Sequence, residues 1–260
     1  EKFLFYRGVG KFQLPISASY QESAIVMNND GSMPISSAIL IDVDAKQIKA
    51  SKLNAIGAGQ AYRFGAAAAV TDQELAEIVR QSLVDEGLYE KEATSMVKTW
   101  QRSWFAEEGT RILYIVPAPT TDELLPLHIT PQPQETLRVL VGRLEMMSPE
   151  AEQQMIDAVA ASVIKRSMHL AQQKGQKKKL PYAVPKEIRQ FGRMTEPALV
   201  RVSKITRDEV IRKEAELLVK QLSSGGALMR PPATCFNPWR GKKRFYFAKS
   251  TATNSWSLRM

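Results

Sequence analysis

The 260-residue sequence has little of the chemistry that disulfides and metal centres need. Its single cysteine, Cys235, excludes an internal disulfide, and its only histidines are His128 and His169. None of these three residues belongs to a ligand pair such as H-x-x-x-H or C-x-x-C, which zinc sites commonly use. The sequence therefore predicts no metal site, and it gives no indication of a cofactor.

Motifs that identify common enzymes are also missing. The chain has no G-x-S-x-G motif, no P-loop and no G-x-G-x-x-G fingerprint, because residues 8–10 (Gly-Val-Gly) lack the third glycine. No stretch approaches the roughly 18 apolar residues of a membrane helix, and the run of small apolar residues 65–70 is far shorter. The sequence thus predicts no membrane-spanning segment and specifies no reaction, and whether the protein is an enzyme stays open.

Charge is distributed unevenly within the net value of +9. Residues 1–160 carry 14 Lys+Arg and 21 Asp+Glu, whereas residues 161–260 carry 22 and 6. The clearest basic clusters, the second of which is flanked by aromatic residues, are Lys177, Lys178 and Lys179, and Arg240, Lys242, Lys243 and Arg244. These residues are candidates for binding an acidic protein or an anionic envelope polymer. Nucleic acid is a less favoured partner, because no nucleic-acid-binding signature accompanies the charge. The alternative is that these segments lie on the acidic half of the same chain.

Hydrophobic periodicity predicts an α+β fold. Residues 1–69 read as a β-rich, sandwich-like region, and residues 70–147 as a mixed region with helices packed on a small sheet. Residues 148–228 read as a helical region, and residues 229–260 as a basic, aromatic C-terminal tail. We expect strands at 3–6, 23–27, 35–43, 48–52, 111–116, 124–129 and 137–146, and an edge strand or a loose segment at 244–248.

The sequence predicts five helices. Thr71 and Glu74 form a capping box for a helix that ends near residue 87, and a second helix is expected from about 90 to 108. Ser148 and Pro149 begin a third helix, whose inward stripe is expected to include Met155, Ile156, Val159, Val163 and Ile164. Two more helices are expected at 186–203 and 206–221, the latter capped by Thr206.

Several segments of the first 150 residues resemble a family of uncharacterised bacterial proteins made with an export signal. The segments that carry the resemblance are 2–10 (KFLFYRGVG), 87–100, 104–111 (WFAEEGTR), 113–117 (LYIVP), 122–127 (DELLPL) and 141–143 (VGR). The resemblance implies a periplasmic or cell-envelope location and an export signal upstream of Glu1, and it brings no known activity. Residues 186–221 resemble, more weakly, a single helical-hairpin repeat of the HEAT type.

The candidate site lies where the second helix ends. Glu107 and Glu108 are expected in its last turn, where acidic side chains oppose the helix dipole, so a nearby group should offset them. One interpretation is an acidic pocket under Trp100 and Trp104, with Arg111 facing a ligand. The other is that the tryptophans belong to the core and the acids pair with Arg111 or face water.

The function that this sequence favours is a non-enzymatic binding or structural role in the bacterial cell envelope. Two alternatives from other classes stay open. One is a hydrolase that uses the acidic residues near 107–108 and 122–123. The other is a protein that binds nucleic acid or another anionic polymer through its basic C-terminal region.

Overall fold

The computed structural model describes residues 14–22, 24–44, 47–175, 181–224 and 245–246, and it confirms the predicted α+β class. The chain divides into two compact units. The first contains the described residues up to Met146 together with residues 245–246. The second contains the described residues from Met147 to 224.

The first unit is built from two antiparallel sheets and three helices. Its strands are β1 (Ile16–Gln21), β2 (Ala24–Asn29), β3 (Ala38–Val43), β4 (Ile48–Leu53), β5 (Ala61–Arg63), β6 (Ala68–Val70), β7 (Gly109–Val116), β8 (Leu140–Met146) and β9 (Phe245–Tyr246). Its helices are α1 (Asp72–Asp85), α2 (Glu90–Phe105) and α3 (Ala118–Leu124). The smaller sheet has the order β1-β2-β5, and the larger has the order β6-β4-β3-β7-β8-β9. The larger sheet therefore runs across the boundary predicted between residues 69 and 70.

Alternate residues of each strand of the larger sheet point to opposite sides. Both faces of this sheet contribute residues to a buried core. The core residues that pack with α1 and α2 are Ile39, Ile41, Val43, Leu113, Ile115 and Val141. The core residues that pack with the smaller sheet are Ala38, Leu40, Ile112, Tyr114, Val116 and Leu140. The first unit thus has three layers, with α1 and α2 on one face of the larger sheet and the smaller sheet on the other.

Local signals place α1 and α2 as predicted, except at the end of α2. The side chain of Thr71 accepts from the backbone N–H of Glu74, and the Glu74 carboxylate accepts from the N–H of Thr71 at 2.7 Å, which confirms the capping box. The expectation that α2 continues to residue 108 is wrong, since it ends at Phe105. The turn that follows places Gly109 at φ 109°, a conformation that favours glycine.

Most of the predicted strands are confirmed, but the one expected at 124–129 is wrong. Residues 118–124 form α3 instead, and residues 126–129 have no regular structure. Pro117 is the N-cap of α3, and Pro119 lies in its first turn, where a missing N–H costs no hydrogen bond. The two prolines that follow β7 therefore begin a helix.

The run at 244–248 contains β9, which pairs antiparallel with β8, so that Phe245 lies opposite Gly142. The edge-strand alternative is thus the one that holds. The strand expected at 3–6 and the basic clusters at 177–179 and 240–244 lie outside the described residues.

The second unit is helical. Its elements are α4 (Pro149–Gln172), α5 (Lys186–Arg189), a 3-10 helix (Gly192–Met194), α6 (Thr195–Ile205) and α7 (Glu209–Ser224). Its core is formed by Met155, Val159, Ile188, Ala198, Leu199, Val202, Ala215 and Leu218. Of the helices that the structure describes in either unit, none is long and apolar enough to cross a membrane.

Three predictions for this unit need correction. The helix expected at 186–203 is interrupted at Gly192, whose φ of 54° does not continue an α-helix. Helix α7 begins at Glu209 because the Asp208 carboxylate, and not Thr206, accepts from the N–H groups of its first turn, at 2.8 and 3.1 Å. Ile164, which was expected on the inward stripe of α4, is 61% exposed.

Candidate functional site

The predicted site lies where the C-terminal end of α2 meets β7 and β8. Trp104 is completely buried in the core between the helices and the larger sheet, and Trp100 is partly buried against the same core. Both tryptophans therefore serve as packing residues in this unit. Neither is among the residues that line the two concavities described below.

Arg111 occupies a helix-facing position of β7 and is completely buried. Its Nη1 donates to the backbone carbonyl of Trp104 at 2.8 Å, and its Nη2 donates to the carbonyls of Glu107, of Glu108 at 3.0 Å and of Gly109 at 3.1 Å. The last carbonyl groups of a helix have no N–H donor within the helix. A cation at this end also interacts favourably with the helix dipole. Arg111 thus caps α2 from the neighbouring strand.

Arg143 reaches the same helix end from β8. Nη1 of Arg143 donates to the backbone carbonyl of Ser103 and, at 3.0 Å, to the hydroxyl of Ser103. Nη2 of Arg143 donates to Glu107 Oε2 at 3.1 Å, and Nε donates to Glu145 Oε1. The other oxygen of Glu145 lies 3.7 Å from Nε of Arg111. Arg111, Arg143, Glu107 and Glu145 therefore form one connected group, named here the arginine clasp.

The clasp balances two arginines against two carboxylates in a largely buried place. Burial lowers the pKa of the Arg111 guanidinium to about 10, with the charge of Glu145 opposing this effect and that of Arg143 adding to it. The positive charges of Arg111 and Arg143 balance the acidic residues at the end of α2. The side chain of Glu108 is exposed, and its contribution is the backbone carbonyl that Arg111 binds.

The structure thus brings Glu107, Arg111 and Trp104 together, and it adds two residues that the sequence reasoning missed. Arg143 and Glu145 are spaced two residues apart in a strand, which indicates one face, and β7 pairs with β8 so that Glu145 lies opposite Arg111. Charged residues at the inward positions of an otherwise apolar strand are the signal that could have found them.

A second polar cluster lies inside the helical unit. The buried Glu214 of α7 accepts from the Ser162 hydroxyl and from Arg166 Nε, both at 2.6 Å. The guanidinium of Arg166 lies 4.4 Å from the ring centre of Tyr182, and the Tyr182 hydroxyl is 3.2 Å from that of Ser162. This cluster joins α4, α7 and the segment that precedes α5.

Two concavities that the structure describes lie away from these clusters. One is a cavity of about 10 Å³ bounded by Leu14, Asn29 and Val116, which is about the space that one water molecule needs. The other is an open depression on α1, lined by Glu74 and Glu77. Within the described residues, no group of three His, Cys, Asp or Glu side chains converges as metal ligands.

Comparison with known proteins returns no relative. No protein-family model, no curated protein and no solved structure matches this chain.

Proposed function

We propose that this protein has a non-enzymatic binding or structural role in the bacterial cell envelope. The observation that supports the non-enzymatic part is the arginine clasp. The charged groups that the sequence offers as catalytic candidates bind one another and the backbone at the end of α2. A catalytic acid or base needs access to substrate, whereas Arg111 is completely buried and Glu107 is held by Arg143.

The envelope part of the proposal is supported by the resemblance of residues 1–150 to exported bacterial proteins. Two of the segments that carry this resemblance, 104–111 and 141–143, contain three of the four clasp residues, Glu107, Arg111 and Arg143. The family resemblance and the clasp thus overlap at these three residues, as a shared structural requirement would produce.

The first experiment tests the non-enzymatic role against the hydrolase alternative. The double variant E107Q/E108Q is compared with the natural chain for thermal unfolding and for hydrolysis of chromogenic esters, phosphates and glycosides. We expect a lower melting temperature, because Glu107 loses its charged bond to Arg143, and equal background hydrolysis in both proteins. Variant E108Q alone is the matched control, because its exposed side chain should leave stability unchanged. A hydrolytic activity that the natural chain shows and E107Q/E108Q lacks would refute the non-enzymatic role.

The second experiment tests location. The complete natural gene product, with a C-terminal epitope, is expressed in its own host, and the cells are fractionated. We expect the protein in the periplasmic or membrane-associated fraction, together with an envelope marker. Recovery with a cytoplasmic marker would contradict the envelope location.

A further inference from the structure

One edge of the larger sheet is unpaired. Strand β6 pairs with β4 on one side, and no described strand lies on its other side. In an antiparallel strand, the backbone N–H and C=O groups of alternate residues point to opposite sides, so part of the β6 backbone points outward. Within the described residues, no hydrogen bond reaches these outward groups. Ala68 and Ala69 are exposed and small, so this edge lacks the charged side chains that usually protect an edge strand.

An open depression lies beside this edge. Val70 at the end of β6 and Gln73, Glu74, Glu77 and Ile78 of α1 line it, and its volume is about 560 Å³. Val70 and Ile78 also pack against the core between the helices and the sheet, which holds the apolar part of the lining in place. The depression and the outer edge of β6 are together named here the β6 groove. A sheet edge beside a depression suits strand addition, in which backbone bonds hold a peptide and alternate side chains enter the depression.

The lining of the groove has a net negative charge. The Glu74 carboxylate accepts from the backbone N–H and the hydroxyl of Thr71, at 2.7 and 2.9 Å, and these neutral groups leave its charge in place. Glu77 pairs with Arg80, whose Nε lies 2.8 Å from Glu77 Oε2. The same guanidinium also donates to Glu90 at 2.8 Å, so two carboxylates share one cation.

The surroundings of the groove are acidic as well. Residues 70–90 include six acidic residues and one basic residue. Lys49 of β4 points to the opposite face of the sheet, because it alternates with Ile48 and Ala50, which pack on the helix side. Lys52 lies two residues beyond Ala50, the last residue of β4 that pairs with β6. A partner for the groove must therefore carry positive charge.

These features select among the possible occupants. Two copies joined through their β6 edges would bring two acidic α1 helices together, which like-charge repulsion disfavours. Anionic lipids and nucleic acids would meet the same repulsion. An extended peptide can pair its backbone with the outward groups of β6 and place every second side chain over the groove. Lys and Arg suit these positions, because their apolar stems can pack on the apolar lining while their charged ends reach the two carboxylates.

We infer that the β6 groove binds an extended, basic peptide segment of a partner protein by strand addition. The peptide backbone bonds to the outer edge of β6, and Lys or Arg at alternate positions contacts Glu74 and Glu77. The inference names a partner for the proposed binding role and rests on that role. Because the unpaired edge and the depression are present in the free chain, binding needs no rearrangement of β6 or α1.

The test is fluorescence anisotropy of a labelled eight-residue peptide of alternating lysine and valine, titrated with the full chain at low and at physiological salt. We expect binding that weakens at higher salt, and no binding of the matching peptide of alternating glutamate and valine. The variant Q73K should bind the basic peptide about tenfold more weakly, because a lysine in the lining repels those of the peptide. The matched control is Q101K, which makes the same change at an exposed glutamine of α2 outside the lining and should bind like the natural chain.

Hydrogen–deuterium exchange then locates the bound peptide. With the basic peptide at saturation, we expect slower exchange of backbone amides in residues 65–70, because the added strand accepts from outward N–H groups of this edge. The edge strand β1 of the smaller sheet provides the internal control, and its exchange should not change. Circular dichroism checks that Q73K and Q101K fold.

Each outcome decides the inference. Absence of binding to the lysine–valine peptide at low salt overturns it, and so does binding that Q73K retains in full, because the peptide would then lie elsewhere on the acidic surface. Binding without slower exchange at residues 65–70 excludes strand addition and also overturns it. Because hydrolysis and cell fractionation test the proposed role separately, a failure of peptide binding does not by itself contradict that role.

Discussion

Replacement of Arg111 by methionine tests the arginine clasp most directly. Methionine fills a similar volume in the core but donates no hydrogen bond and carries no charge. The change removes the donor that binds the buried backbone carbonyl of Trp104. It also removes the donor to the carbonyls of residues 107–109. It also leaves Arg143 as the one clasp cation near the end of α2.

The magnitude follows from these contacts. A buried hydrogen bond from a charged donor contributes about 1.5–3 kcal/mol, and the part-buried bonds to residues 107–109 together add about 1 kcal/mol, since water can replace them. Loss of the cation at the helix C-terminus adds about 0.3–1 kcal/mol. Removing the buried charge of Arg111 offsets about 1–2 kcal/mol of this loss, because burial disfavours a charged group. The lowered pKa of Arg111 reflects the same effect. We therefore expect R111M to lower the free energy of unfolding by about 2 kcal/mol.

Urea unfolding followed by tryptophan fluorescence measures this change, and calorimetry should show a melting temperature lower by about 4–8 °C. The matched control is R102M, which makes the same chemical change at an exposed arginine in the last turn of α2 and should cost less than about 0.5 kcal/mol. The capping role would be refuted if R111M were as stable as the natural chain, or if R102M destabilised the protein equally.

Two further predictions concern the sheet and the first helix. In G142A, the new Cβ would lie 2.3 Å from Tyr114 Cζ in the buried core, so we expect urea unfolding to show a free energy of unfolding lower by about 1–3 kcal/mol. The control G65A places its Cβ where no atom lies within 4 Å, so its free energy of unfolding should not fall. Equal stabilities of the two variants would contradict the close approach. Hydrogen bonds from the backbone and side chain of Thr71 lower the pKa of Glu74, so its carboxylate stabilises the fold above the unfolded-state pKa, and this contribution is lost as pH falls through the folded-state value. The urea midpoint of E74Q should accordingly lie below that of the natural chain at neutral pH and approach it in acid, and a difference independent of pH would exclude the charge as its cause.

Elements set by neighbouring residues could be read from the sequence. The start of α1 depends on a side chain and a backbone group three residues apart, and Ser148 begins α4 by accepting from the N–H of Ala151 in the same way. Where two such signals competed, the sequence was ambiguous. Thr206 and Asp208 both suit an N-cap, and the structure uses Asp208.

The candidate site could be predicted only in part. Glu107 and Arg111 are close in sequence, and the need for a positive charge at the end of α2 was visible from the helix dipole alone. That Arg143 and Glu145 complete the clasp depends on the pairing of β7 with β8, which places Glu145 opposite the distant Arg111. No local pattern fixes that register, because several neighbouring strands have equally apolar faces.

By itself, therefore, the sequence determined the α+β class, the starts of α1 and α4 and the uneven charge, since each depends on composition or on contacts within one turn. The tertiary structure decided how the polar residues are used. It turned Trp104 and Arg111 from candidate ligand contacts into a core residue and a helix cap, and it turned Ile164 outward. Which side of a helix or strand faces the core depends on what packs against it, and for α4 the bonds from Ser162 and Arg166 to Glu214 made the polar side the inner one.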